Sequence, residues 1–365
     1  MLRPRASVFA GASVRATAFV LMSASILILA PPLYAAVPFN IGDVFAGVGR
    51  GKFNHFSPTG TLLETLDDTQ AVGSGEDATT GMCFDPAGNM YGTNLDKNSM
   101  SKFSNNGTLL SATFGSFNGG PESCLIINNG TTMFTSEVFG TGDILKLNLP
   151  AGTQAANYDS ARSDWIDLAA DDCTMFYTDE GSTIRRFNVC TNAALPNFVT
   201  VGGANFYALR ILPNGDVIVA ARDSVRRFNS AGTEILPAYT ATGETFFFAL
   251  NLDPDGTHFW SGGITSGTIY KFNLTPVGPP VLSFSSQIAA AGGTILAGLA
   301  VFGENIVSNP TPTPTGVVAT PTATPQVGIT PLIVGPPSPV PTLSTSMLAL
   351  LGLALAAGAV LLMRR

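Results

Sequence analysis

The stretch GMCFDPAGNMYG (residues 81–92) is a short apolar run, a glycine-centred turn and a second apolar run. The chain repeats this pattern as SCLIINNGTTMF (123–134), IDLAADDCTMFY (166–177), LRILPNGDVIVA (209–220) and LNLDPDGTHFWS (250–261). The turn centres Gly88, Gly130, Asp172, Gly215 and Gly256 fall 42, 42, 43 and 41 residues apart. A strand–turn–strand unit recurring every forty-odd residues is how the blades of a β-propeller look in one dimension.

A second register has the same period. HFSPTGTLL, KFSNNGTLL, KLNLPAGTQ, RFNVCTNAA, RFNSAGTEI and KFNLTPVGP place Phe56, Phe103, Leu147, Phe187, Phe228 and Phe272 at intervals of 40 to 47 residues. That makes six copies of this strand against five of the first. The missing first strand is predicted in LAGLAVFG (296–303), because the stretch IGDVFAGVGRGKFNHF (41–56) opens on a second strand. The reading is an all-β, six-bladed propeller in which the C-terminal strand pairs into the first blade and closes the ring.

The residue types fit such strands. The innermost runs, such as Cys124-Leu125-Ile126-Ile127 and Phe248-Ala249-Leu250, are apolar on both faces, as strands packed between neighbouring sheets must be. Asp-Pro, Asn-Gly and Asp-Gly supply the fixed or positive φ of tight turns. One Phe per blade at a constant slot, in a chain with 24 of them, acts as a hydrophobic wedge between sheets. The Asn-Gly-Thr triplets at Asn106 and Asn129 fall in blade turns and read as turn chemistry.

The chain ends speak of export. Residues 1–35 carry Arg3, Arg5 and Arg15, an apolar run and a small-residue exit before Ala36, the pattern of a secretory signal peptide. The propeller is assigned to 36–305 and a Pro/Thr-rich linker to 306–341. At about 3.1 Å per residue, an extended linker of this length spans on the order of 100 Å. The segment 342–365 holds an uncharged run from Met347 to Met363, 17 residues, near the lower limit for a transmembrane helix, followed by Arg364 and Arg365. Val340-Pro341-Thr342-Leu343-Ser344, the apolar run and the terminal arginines together resemble the IPTL-type C-terminal sorting signal processed by exosortases. That resemblance implies a bacterial envelope protein, an exosortase-like membrane processing enzyme as partner, and attachment to the membrane through the C-terminal helix.

Five of the 18 basic residues lie in the two targeting ends, whereas all 25 acidic residues lie between them. The intervening chain therefore carries 13 positive against 25 negative charges, or −12. Nucleic acid is excluded as a partner, since phosphate binding needs a basic footprint. The four cysteines are an even number in an exported chain, so disulfides are allowed. If the hairpin TMFYTDEGSTIRRFNV turns at Gly181-Ser182, residues whose numbers sum to 363 face each other. Cys173 then lies opposite Cys190, in reach of a cross-strand bridge. Cys83 and Cys124 lie on neighbouring innermost strands and either pair or serve as small buried hydrophobes. No CxxC or Cys/His spacing suits zinc or haem.

Chemistry, if present, belongs at the channel mouth. The loops leading into the innermost strands carry Asp77, Glu122, Asp164, Asn205, Glu244 and Thr294. The loops between second and third strands, on the same face, add Asn94, Asp96, Glu137, Asp179, Glu180 and Asp223. Such hard oxygen donors suit Ca²⁺ or another divalent cation, with Glu122, Asp164, Asn205 and Asp77 as the candidate ligands. The alternative is a solvated acidic rim with no catalytic residue. The repeat as a whole resembles six-bladed propellers of the NHL and gluconolactonase-like superfamily over about residues 40–305. In gluconolactonase-like members a Glu at the start of an innermost strand helps to hold a catalytic divalent metal, and Pro121-Glu122-Ser123 is the matching place. His55 occupies a slot held by Lys or Arg in most blades, and His258 sits beside Phe259-Trp260. Neither is flanked in the sequence by a convincing partner for acid–base chemistry. The expected function is a tethered, non-enzymatic binding module for an envelope or matrix component; the alternative is a metal-dependent hydrolase or lactonase.

Overall fold

The computed structural model describes residues 37–70, 78–158 and 161–304. They form six four-stranded antiparallel sheets. Blades 2 to 6 each run in chain order from an innermost strand outwards, beginning at Thr79–Phe84, Pro121–Ile127, Ile166–Leu168, Phe206–Ile211 and Phe247–Leu252. Blade 1 is composite: Val44–Gly49, Lys52–Phe56 and Leu62–Asp67 are joined on the inner side by Gly298–Val301. The register is Val44↔Val301, Phe45↔Ala300, Ala46↔Leu299 and Gly47↔Gly298. Innermost strands touch in cyclic order, with Gly298–Val301 meeting the strands of blades 6 and 2, so the ring is closed as expected.

The turn centres explain the period. Gly88, Gly130, Gly215 and Gly256 have φ of 81°, 83°, 83° and 70°, and Asp172 adopts the same left-handed region at 55°. Glycine enters that region without penalty, and Asp is among the few other residues that do so routinely. The wedge residues behave alike: Phe56, Phe103, Leu147, Phe187, Phe228 and Phe272 are all buried. Phe56 packs with Ala249, Trp260 and Leu299, which joins blade 6 to the closing strand. Near the axis the innermost strands approach so closely that side chains are excluded. A Cβ on Gly81 would lie 2.5 Å from the Glu122 carbonyl oxygen, and one on Gly298 would overlap that of Thr80.

Both disulfides form. Cys83–Cys124 ties the innermost strands of blades 2 and 3 at a Cα–Cα distance of 5.7 Å, which resolves that pair in favour of a bond. Cys173–Cys190 closes across the blade 4 hairpin at 5.2 Å, but not in the expected register. Phe176 faces Arg186 and Tyr177 faces Arg185, so paired numbers sum to 362, with an odd-length loop centred on Gly181. Glu180 turns into the left-handed region at φ 58° and lengthens that loop. Cys173 therefore opposes Val189, whose N–H it accepts at 2.9 Å. Cys190 lies one residue beyond the ladder, where the strict two-face alternation no longer fixes its direction.

His55 is fully buried in blade 1, stacked on Phe45 at 4.4 Å. Its Nε2 lies 2.9 Å from Asp43 and its Nδ1 3.1 Å from Glu64. It therefore links three successive segments of the blade that the C-terminal strand completes. The stretches expected to be a signal peptide (1–35), a linker (306–341) and a sorting segment (342–365) lie outside the described residues. Among the described residues no helix is long and apolar enough to cross a membrane.

Closure makes a stability prediction. Leu299 is 1% exposed, whereas Leu110 is 54% exposed. Leu299→Ala should cost about 2–5 kcal/mol in denaturant unfolding, against less than about 0.5 kcal/mol for Leu110→Ala. Equal effects would contradict a structural role for the closing strand.

Candidate functional site

The channel has two ends with different chemistry. On the face where the innermost strands begin, most acidic residues hold their own loops. Glu137 accepts the N–H groups of Asn118 and Gly119 at 2.8 and 3.1 Å. Asp96 accepts from Ala78 N–H at 2.8 Å, and Asp179 from Gly181 N–H and Arg185 Nε at 3.1 and 2.9 Å. Glu244 takes Thr245 N–H and Phe246 N–H at 3.0 and 2.9 Å, together with the hydroxyl of Tyr270 at 3.2 Å. Loops lack a ladder to satisfy their backbone donors, and short acidic side chains supply the acceptors.

Of the four candidate ligands, the fold brings two together. Glu122, which opens the blade 3 innermost strand, and Asp164, just ahead of that of blade 4, are 3% and 0% exposed. Their backbones are locked by Ser123, whose Oγ donates to the Asp164 carbonyl at 2.9 Å and accepts Ile166 N–H at 3.1 Å. Asp164 Oδ1 accepts from Arg162 Nε at 2.8 Å, and Arg162 continues to Glu180 at 2.8 Å. Asp164 Oδ2 is buried without a hydrogen-bond partner in the described structure. Asn205 is exposed and donates to the Glu180 carbonyl at 2.7 Å. Asp77 lies outside the described residues. Among the described residues no group of three or more His, Cys, Asp or Glu side chains converges on a point suited to a metal ion.

Burial, reinforced by the charge of Asp164, raises the Glu122 pKa well above the usual carboxylate range. Burial also pushes Asp164 up to about 7, although the Arg162 guanidinium opposes it. Two buried carboxyls side by side resist ionising together, and a proton held by Glu122 would supply the donor that Asp164 Oδ2 lacks among the described residues.

The opposite end, where the innermost strands finish, opens into a cavity of about 640 Å³. Three charged side chains meet on its floor. Arg210 Nε donates to Glu304 Oε1 at 2.7 Å, and the same oxygen accepts Leu252 N–H at 2.8 Å. Asp167 accepts Leu168 N–H at 2.9 Å and, across the junction of blades 4 and 5, Ile211 N–H at 2.7 Å. Asn251 Oδ1 accepts Val301 N–H at 3.0 Å between blades 6 and 1. Burial pushes Asp167 up to about 6 against the pull of Arg210. The sequence reading passed over these residues, yet a signal was present. The slot five residues before each turn centre is apolar in blades 2 and 3 (Cys83, Leu125) but is held by Asp167, Arg210 and Asn251 in blades 4 to 6, three polar intrusions into otherwise apolar strands.

Neither histidine is placed for proton transfer at either end. Contrary to the sequence reading, the fold gives each histidine a carboxylate: His55 is sealed between Asp43 and Glu64, and His258, at the turn between the first two strands of blade 6, is bound to Asp255 at 2.7 Å.

The carboxyl pair predicts a pH dependence. Asp164 and Glu122 have folded-state pKa values raised above their unfolded ones, so the folded protein holds more protons. Their stabilising contribution is complete below about pH 4; that of Asp164 is lost as pH rises through about 7, and that of Glu122 as pH rises through its own raised pKa. Glu122→Gln provides a permanent N–H donor to Asp164. It should raise the melting temperature at pH 8 by about 2–4 °C, the equivalent of roughly 1 kcal/mol, and flatten the decline between pH 5 and pH 8. Identical melting profiles for variant and parent would refute a proton shared by the pair.

No family model and no curated protein matches the sequence. Among solved structures, the chain is similar to hydrazine synthase from Kuenenia stuttgartiensis. The TM-score is 0.50 at 11% identity, covering 66% of this chain and 78% of that one. It is also similar to a chain of the nidogen/laminin complex, with a TM-score of 0.56 at 14% identity, covering 72% of this chain and 99% of that one. At such identities the likeness shows the fold alone.

Proposed function

We propose that this chain is an exported propeller of the NHL type, tethered at the cell surface, which binds a component of the bacterial envelope or extracellular matrix. The observation that carries the reading is the pair of disulfides, Cys83–Cys124 and Cys173–Cys190, built into the propeller itself. Such bonds persist in oxidising compartments outside the cytoplasm. The leader at 1–35, the Pro/Thr spacer and the IPTL-like end with Val340, Pro341, Thr342, Leu343, Ser344, Arg364 and Arg365 agree with that compartment and supply a route to the surface. Binding rather than catalysis is favoured because both histidines and most channel-mouth carboxylates are engaged in holding strands and loops.

A second reading, a divalent-metal-dependent hydrolase or lactonase, draws on one feature: Glu122 and Asp164 are adjacent, and Asp164 Oδ2 has no hydrogen-bond partner among the described residues. The two carboxylates could receive Ca²⁺ or another divalent ion if both were ionised.

Two measurements test this. In intact cells the propeller should be accessible to added protease, and deleting 342–365 should shift the protein from the envelope fraction to the medium. A protein that stays cytoplasmic and protected would overturn the export reading. Titrating Ca²⁺ into the purified protein should leave its melting temperature unchanged under the binding reading. A rise of several degrees that is abolished by Glu122→Gln would favour the hydrolase.

A further inference from the structure

The cavity at the finishing end of the channel has a volume of about 640 Å³, in the range of small-molecule sites. Its wall is apolar, with Met82, Leu125, Ile166, Ile211 and Val301 contributing side chains from five different blades. Its charged lining is one-sided. Asp85, Asp167, Asp172 and Glu304 face a single cation, Arg210. Lys102 lies 4.0 Å from Asp85 and offsets that carboxylate, whereas Arg210 is the one cation beside Asp167 and Glu304 among the described residues.

On the floor, one guanidinium serves two carboxylates. Arg210 Nε binds Glu304 at 2.7 Å and its Nη1 donates to the Leu209 carbonyl at 2.8 Å. Asp167 uses both oxygens on main-chain N–H groups. Glu304 Oε1 accepts two donors, whereas its Oε2 accepts no hydrogen bond among the described residues. The floor therefore carries an excess negative charge and a carboxylate oxygen that takes no hydrogen bond from the described residues, beside an apolar wall. In such low-dielectric surroundings an uncompensated charge is costly, and a charge of opposite sign is strongly attracted.

We propose that this cavity is a binding site for a small organic cation, an apolar body bearing one ammonium group. The body packs against Leu125, Ile166 and Val301, and the ammonium donates to Glu304 Oε2. An anion would place a third negative charge beside Asp167 and Glu304, and a neutral molecule would gain the hydrophobic contribution alone. Phe84 and Phe302, with ring centroids 5.0 Å apart, line the same cavity and offer ring faces that attract a passing cation. The site is separate from the Glu122–Asp164 pair and does not depend on whether the chain is exported or tethered.

The test is calorimetric titration of the purified full-length protein at pH 7.5 and low salt with three matched probes: 2-phenylethylammonium, 2-phenylethanol and 3-phenylpropanoate. The ammonium should bind saturably at one site, at least tenfold more tightly than either of the others. Glu304→Gln keeps an acceptor for Arg210 and Leu252 while removing the charge. It should weaken ammonium binding at least fivefold and leave 2-phenylethanol unchanged. Equal affinity for the three probes, preference for the anion, no binding of any probe, or an unaffected Glu304→Gln variant would each overturn the proposal. Should that variant fail to fold, the ranking of the probes on the parent protein decides. Either result leaves the export reading untouched.

Discussion

Ring closure is the constraint on which the remainder of this structure rests. The inner edge of blade 1 is completed by Gly298–Val301, a segment separated from Val44–Gly49 by the whole propeller. Without it, blade 1 would present an unpaired edge and blades 2 and 6 would lose a packing neighbour. Closing so long a chain segment carries an entropic cost, but that cost grows only slowly with length. It is offset by the apolar contacts among Val44, Phe56, Trp260, Leu299 and Val301, each of which is buried. Both ends of the channel follow from closure, and Glu304 lies three residues past the strand that achieves it.

Around the axis, the junctions between blades use different chemistry for the same purpose. A disulfide joins blades 2 and 3, Ser123 bonds blade 3 to 4, and Asp167 bonds blade 4 to 5. Arg210 reaches the closing segment through Glu304, which also holds blade 6, and Asn251 bonds blade 6 to 1. A typical neutral hydrogen bond contributes about 1 kcal/mol and a disulfide about 2–4 kcal/mol, so no single device dominates. Engaging polar groups in this way leaves few of them available for ligands. Asp164 Oδ2 at one end and Glu304 Oε2 at the other are the exceptions that bear on function.

Local stereochemistry made the fold readable before any contact was known. A blade needs a residue at positive φ between its first two strands, and glycine or aspartate at a period of 41 to 43 residues announces it. The blade 4 hairpin was misjudged by one residue because Glu180, not a glycine, takes the left-handed turn. Glutamate carries no strong preference for that region, so nothing in its identity marks the loop as odd-length. The disulfide survived this slip only because Cys190 lies beyond the ladder, where register no longer governs side-chain direction.

Period and turn chemistry are properties of neighbouring residues, which is why blade count and closure can be argued from order along the chain. The sites are of another kind. Of the acidic residues around the first channel mouth, only the packing of blade 3 against blade 4 selects Glu122 and Asp164 as a pair, while Asn205 is directed to Glu180 instead. Asp167, Arg210 and Glu304 occupy three widely spaced positions in the chain and acquire a shared electrostatic environment only when six sheets converge on one axis. Backbone preference acts over a few residues and is written locally; burial and charge coupling depend on distance in space, and only the closed ring sets those distances.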